Sequence, residues 1–152
     1  MTKIFCIAPW STENRVLPLQ EVRDALGLLT DQDEIWAKLD AGTQSYMNKV
    51  NVTDMKLCGV LSNILIVARK RPVVIQSLFP LIGDEEPGEN EIEQYTNRLQ
   101  ELKAAGAQIA LVQIYSAHRP PHLPDCGHLP LASLSRIARH VRAATGLRAE
   151  VF

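Results

Sequence analysis

The sequence predicts an α/β protein built on a mostly parallel sheet, and three observations predict it. A short apolar strand pattern that ends in polar groups occurs three times. An amphipathic helical pattern follows each one, and the whole chain reads β-α-β-α-β-α-β-α-β. The three strand endings are IWAKLDAGT at 35–43, PVVIQSLFP at 72–80 and LVQIYSAHRPP at 111–121. Strands joined through helices must return in the same direction, which a parallel sheet requires.

The elements follow in order. Lys3 to Ala8 reads as a first short strand, closed by Pro9 and the polar stretch Ser11 to Arg15. Leu19, Val22, Ala25, Leu26 and Leu29 recur at spacings of three and four, so 19–29 is a helix, with Gly27 its weak point. The strand 34–40 comes next, and Thr43 is placed to N-cap a short helical turn through Tyr46 and Met47. Thr53 or Asp54 can cap the following helix, whose stripe Leu57, Val60, Leu61, Ile64, Leu65 and Ala68 ends in Arg69-Lys70-Arg71 before Pro72. Cations suit the last turn of a helix, and proline stops it. After the strand 73–79, residues 82–90 form a Gly-, Pro- and acid-rich loop. The helix 89–105 turns Ile92, Tyr95, Leu99 and Leu102 inward and stops at Gly106. The strand 109–116 then leads through a proline-rich loop to a helix over 131–145, which buries Leu134, Ile137, Ala138 and Val141. Gly146 ends that helix, and 147–152 is the final strand.

With 152 residues, 46% of them hydrophobic, the chain has the length and composition of one compact α/β domain over 1–152. Sixteen basic residues against seventeen acidic ones provide no electrostatic footprint for nucleic acid and no polybasic membrane anchor. The longest apolar stretch, 60–68, is broken by Ser62 and Asn63 and is too short to span a bilayer. The start MTKIFCIAPW lacks the apolar core and cleavage site of a secretory signal, so a cytoplasmic location is expected. Cys6, Cys58 and Cys126 are odd in number and far apart. They imply no disulfide framework, zinc ribbon or tight cluster-binding loop.

Loops at the carboxyl ends of parallel strands build the ligand sites of α/β folds. This rule gathers Lys38, Asp40, Gln76, Gln113, Tyr115 and Arg119 around one expected pocket for a small molecule. Lys38 and Asp40 are two apart on a strand and share a face, where they could grip a ligand or pair with one another. Gln76 is expected to face a barrel interior. Gln113 and Tyr115 also share a face, where the plainer role is a buried hydrogen-bonded pair. Arg119 offers a planar fork suited to a carboxylate, or to a surface ion pair. His118, His122, Cys126 and His128 form the cluster with metal-ligand residue types, a zinc-module reading whose spacing matches no standard finger, so a solvated loop is expected and no metal is assigned. The acidic run 84–93 reads as a solvated loop and helix start. Arg136, Arg139 and Arg142 read as surface residues, with no aromatic platform for nucleic acid beside them.

Two architectures satisfy the element order: a five-stranded flavodoxin-like sheet and a segment of a (β/α) barrel. The local sequences separate them. DEIWAKLDAGT, RKRPVVIQSLF, AGAQIALVQIYSAHRPP and LPLASLSRIARHV, in this order, resemble the later strands of radical SAM proteins from about Val16 to Val141. The segments Lys-Leu-Asp-Ala-Gly-Thr (38–43) and Val-Gln-Ile-Tyr-Ser-Ala-x-Arg-Pro (112–120) carry most of the likeness. The resemblance implies a partial, TIM-barrel-like (β/α) fold, a bound S-adenosylmethionine and a [4Fe–4S] cluster, and reductive cleavage of the former to a 5′-deoxyadenosyl radical. It also implies a Cys-x3-Cys-x2-Cys loop, which this chain does not contain. Three thiolates would ligate three irons and leave the fourth open; without them the radical chemistry has no electron source. The chain therefore resembles the carboxyl-terminal half of such a barrel, not expected to bind the cluster alone. An amino-terminal half, a partner subunit or self-association is expected to complete it.

Overall fold

A computed structural model describes residues 4–7, 19–51, 55–116 and 126–152. The strand and helix patterns resolve into β1 (Ile4–Ile7), α1 (Leu19–Gly27), β2 (Glu34–Lys38), α2 (Gln44–Asn51), α3 (Leu57–Ala68), β3 (Val73–Leu78), β4 (Pro80–Ile82), α4 (Glu89–Ala104), β5 (Ile109–Tyr115), β6 (Cys126–His128), α5 (Leu131–Thr145) and β7 (Ala149–Val151). The main sheet has the order β1-β2-β3-β5-β7, and every pairing in it is parallel.

That order never reverses along the chain. A flavodoxin-like sheet needs a reversal, with helices on both faces. Here one alternating set of strand residues, Ile35, Ala37, Leu39, Val73, Ile75, Phe79, Val112, Ile114 and Ala149, enters a single core with buried residues of α2, α3, α4 and α5. Leu26 of α1 packs against the same core. The set on the opposite face contributes nothing to that cluster, and even the buried Val74 lies outside it. A sheet wound in one direction with its helices on one side is a segment of a (β/α) barrel, which corrects the flavodoxin-like alternative.

Local chemistry explains the joints. Thr43 caps α2 as expected, its Oγ1 accepting the Tyr46 N–H at 3.2 Å. The expected cap of α3, Thr53 or Asp54, lies outside the described residues. The helix starts later, with Lys56 at the N-cap position and no side-chain cap bond. Gln44 of α2 substitutes, its Oε1 accepting the Leu57 N–H at 2.6 Å while its Nε2 donates to the Met55 carbonyl at 3.0 Å. The basic run after α3 ties loops at the amino-terminal edge of the sheet. Arg69 Nε donates to the Ala105 carbonyl at 2.8 Å, and Arg71 Nη2 donates to the Thr30 carbonyl at 2.6 Å. Gly146 closes α5 at φ 67°, a left-handed cap that a Cβ would strain.

Residues 80–90 are more ordered than a solvated loop. Pro80–Ile82 pairs antiparallel with Cys126–His128, and Gly83 and Asp84, at φ 59° and 61°, make a tight turn closed by reciprocal Ile82–Glu85 backbone bonds. Glu86 accepts from Ser133 Oγ at 2.7 Å and from Arg136 Nη2 at 3.0 Å. The acidic turn is thereby fastened to the first turns of α5, and Arg136 is not a free surface cation.

Candidate functional site

The helix-free face of the sheet is organised in rows set by strand register. Trp36, Val74 and Leu111 align across β2, β3 and β5 in one row. The next row toward the carboxyl ends is Lys38, Gln76, Gln113 and Glu150, one residue from each of four neighbouring strands. Beyond it, Leu78 aligns with Tyr115, and Asp40 lies two residues past Lys38. Five of the six expected pocket residues therefore gather on one face at one end of the sheet. Arg119 lies outside the described residues.

The polar groups form a network as well as a row. Lys38 Nζ donates to the Tyr115 hydroxyl at 2.5 Å, reaching from β2 to β5 across the intervening β3. The same ammonium lies 3.0 Å from Asp40 Oδ1 and 4.8 Å from the centre of the Tyr115 ring. Asp40 is buried, and its Oδ1 also accepts the Leu78 N–H at 2.8 Å, continuing the β2–β3 ladder through a side chain. Burial alone would pull the Lys38 ammonium below the usual lysine value. The Asp40 carboxylate and then Tyr115 outweigh it, so the group lies above that value. The plainer expectation that Lys38 and Asp40 pair with each other is thus met. Tyr115 takes Lys38 as its partner, which corrects the expected Gln113–Tyr115 hydrogen bond.

Gln76 and Gln113 are half-buried register partners, and neither carboxamide hydrogen-bonds to another described residue. Glu150 at the end of the row is neutralised locally, with its Oε1 2.5 Å from Arg148 Nη2.

Beneath the carboxyl ends, on the core side, α4 is locked to the β2–α2 loop. Gly42 lies so close to this helix that an added Cβ would be 2.0 Å from the Tyr95 nitrogen, so only glycine fits. Glu91, on the first turn of α4, accepts the Gly42 N–H at 2.5 Å, the Thr43 N–H at 3.3 Å and the Thr43 hydroxyl at 2.5 Å. Its burial raises the carboxyl above the usual range despite those three donors. Tyr95 stacks edge-on against Phe79 at 5.1 Å between ring centres. The Ser77 hydroxyl, 2.7 Å from Tyr95 Oη, donates to the Leu39 carbonyl at 2.5 Å, so the tyrosine is the donor of that pair. Tyr46 places a buried hydroxyl at this end, with no hydrogen-bond partner among the described residues. Burial, then the charges of Glu91 and Asp40, push its phenol upward.

Sequence reasoning missed Glu91, Tyr46 and Glu150. Glu91 reads as one acid of a solvated run, and its partners are 48 and 49 residues away. The His and Cys cluster is only partly described: His118 and His122 lie outside, while Cys126 and His128 stand on β6 opposite Ile82 and Pro80. Among the described residues no group of three His, Cys, Asp or Glu is arranged to hold a metal ion. Cys6, Cys58 and Cys126 fall on β1, α3 and β6, three separate elements that do not form the three-thiolate loop a [4Fe–4S] cluster needs. No helix among the described residues is long and apolar enough to cross a membrane.

Comparison with family models and with curated proteins finds no match. Among solved structures the chain is similar to a radical SAM methyltransferase from Sphaerobacter thermophilus, with a TM-score of 0.56 and 16% identity over 89% of this chain. At that identity the likeness concerns the fold. The chain spans 38% of the length of that protein.

Proposed function

We propose that this chain is a radical SAM-like half-barrel that binds an S-adenosyl ligand on its helix-free face and does not carry out reductive cleavage by itself. Lys38, Asp40 and Tyr115, with Arg119, hold the ligand at the strand ends, and Gln76 and Gln113 form the floor beneath. The observation that carries this reading is the convergence of Lys38, Asp40 and Tyr115, from two strands of a one-directional sheet, at the end where α/β folds place their ligands. The fold similarity to a radical SAM methyltransferase supports it. The residues present do not fit an iron–sulfur cluster, and no step of this proposal passes through one. The 38% span of that neighbour fits a further segment or partner chain supplying the rest of the wall.

Calorimetry with S-adenosylhomocysteine tests the reading. Binding no tighter than about millimolar is expected, because no cluster iron chelates the methionyl end. Asp40→Ala should weaken it about 10- to 100-fold, the loss expected on removing one partner of a buried charged hydrogen bond. Tyr115→Phe, which leaves the Asp40 ladder contact intact, should weaken it less. No binding by the folded wild type, or equal binding by all three proteins, would overturn the assignment in favour of an α/β domain that works without an S-adenosyl ligand.

A further inference from the structure

The central row of the helix-free face has an unusual charge pattern. Its outer members are both charged, yet each is neutralised by its own chain: Lys38 by Asp40, and Glu150 by Arg148. Its inner members are two carboxamides side by side on the central strands β3 and β5, half-buried and without a described partner. Apolar residues bound them, with Val74 and Leu111 on the amino-terminal side and Leu78 and the Tyr115 ring on the other. Both side chains keep partial access to solvent, so their donors and acceptors are open to a ligand. Two adjacent glutamines present donors and acceptors together, the pattern that pairs bidentately with an amide-like edge. An anion or cation would meet no unpaired countercharge there.

We infer that Gln76 and Gln113 recognise a second ligand beside the S-adenosyl group: an uncharged planar group with adjacent donor and acceptor, of the carboxamide, lactam or pyrimidine-base class. This rests on the proposed S-adenosyl site for its neighbour, while the recognition itself follows from the charge pattern. The Lys38–Tyr115 bridge separates the two positions. A flat group lying on the glutamines would contact the Tyr115 ring at one edge and the Val74 and Leu111 side chains at the other.

Matched neutral and charged probes test it by saturation-transfer NMR and titration of the full chain: nicotinamide against nicotinate, and uracil against orotate. At least one neutral probe should bind about tenfold or more tightly than its carboxylate counterpart. The double variant Gln76→Leu, Gln113→Leu should lose that binding by about tenfold or more, while Asp40→Ala, which leaves both carboxamides in place, should keep it within about threefold. Its thermal midpoint should hold or rise, because no intramolecular hydrogen bond is removed. Binding of neither neutral probe, equal binding of neutral and charged members, or unchanged binding by the double variant would overturn the inference. S-adenosylhomocysteine binding without neutral-probe binding removes this inference and leaves the S-adenosyl site standing. Neutral-probe binding without S-adenosylhomocysteine does the reverse.

Discussion

Lys38 and Tyr115 are 77 residues apart in the chain, and the lysine ammonium lies 2.5 Å from the tyrosine oxygen. The contact joins β2 to β5 over the top of β3, and Asp40 holds its other side at 3.0 Å. Lys38→Met leaves the Asp40 carboxylate buried without its cation, and should destabilise the fold by about 3 kcal/mol. Tyr115→Phe removes one hydrogen bond and keeps the ring, so about 1 kcal/mol is expected. Urea denaturation of the two variants checks the order. A Lys38→Met loss no larger than that of Tyr115→Phe would mean that the ion pair contributes nothing.

Gly42 and the α4 backbone make the tightest joint behind the site. Gly42→Ala drives a Cβ into Tyr95 N at 2.0 Å and Gln94 C at 2.4 Å, atoms that cannot rotate away. The variant should lose about 3 kcal/mol, at the upper end for overpacking. Gly59→Ala, where an added Cβ meets nothing within 4 Å, should be neutral or stabilising, and comparing their thermal midpoints separates a local clash from a general loss of glycine.

Glu91 gives the fold a pH dependence of defined sign. Its carboxyl is raised above the usual carboxylate range by burial, so between that range and its folded value the native state holds a proton that the unfolded chain has released. This stabilising contribution is complete below the unfolded value and lost as pH rises through the folded one. Glu91→Gln should flatten that part of the stability curve, since the amide oxygen still accepts from Gly42 and Thr43. Glu91→Ala should cost about 2 to 3 kcal/mol through three orphaned donors. Denaturation midpoints measured from pH 4 to 8 distinguish the two; an unchanged slope in Glu91→Gln would refute the assignment.

Among the described residues the parallel sheet presents β1 and β7 as its outer strands and leaves one face without helices. Parallel sheets are normally covered on both faces, and open edges template pairing. The chain should therefore associate with itself or with a partner that supplies the remaining wall. Light scattering should show a mass that rises with concentration. A constant monomer mass over a wide range would mean that the exposed face is tolerated.

Local patterns in the sequence were enough to determine the elements of this protein. Apolar periodicity, Thr43 as a cap, and Gly106 and Gly146 as stops specify four of the helices, the start of α2 and the five main strands to within a few residues, because each signal acts over a few positions of backbone. Alternation along β2, β3 and β5 was likewise enough to place Lys38, Gln76, Gln113 and Tyr115 on one face. Only the tertiary structure decided the rest. Strand order depends on which edges pair, so the element order left a barrel segment and a flavodoxin-like sheet both open, and in the sequence only the resemblance to radical SAM proteins favoured the former. The short pair β4 and β6 exists because residues 80–82 and 126–128 meet, although each is too short to show a period. The same distance in sequence hid the partners of the charged groups. Glu91 turned from a solvated acid into a buried lock, and Lys38, expected to grip a ligand or pair with Asp40, also bridges to Tyr115, because their energies depend on burial and on neighbours that only the folded chain brings within reach.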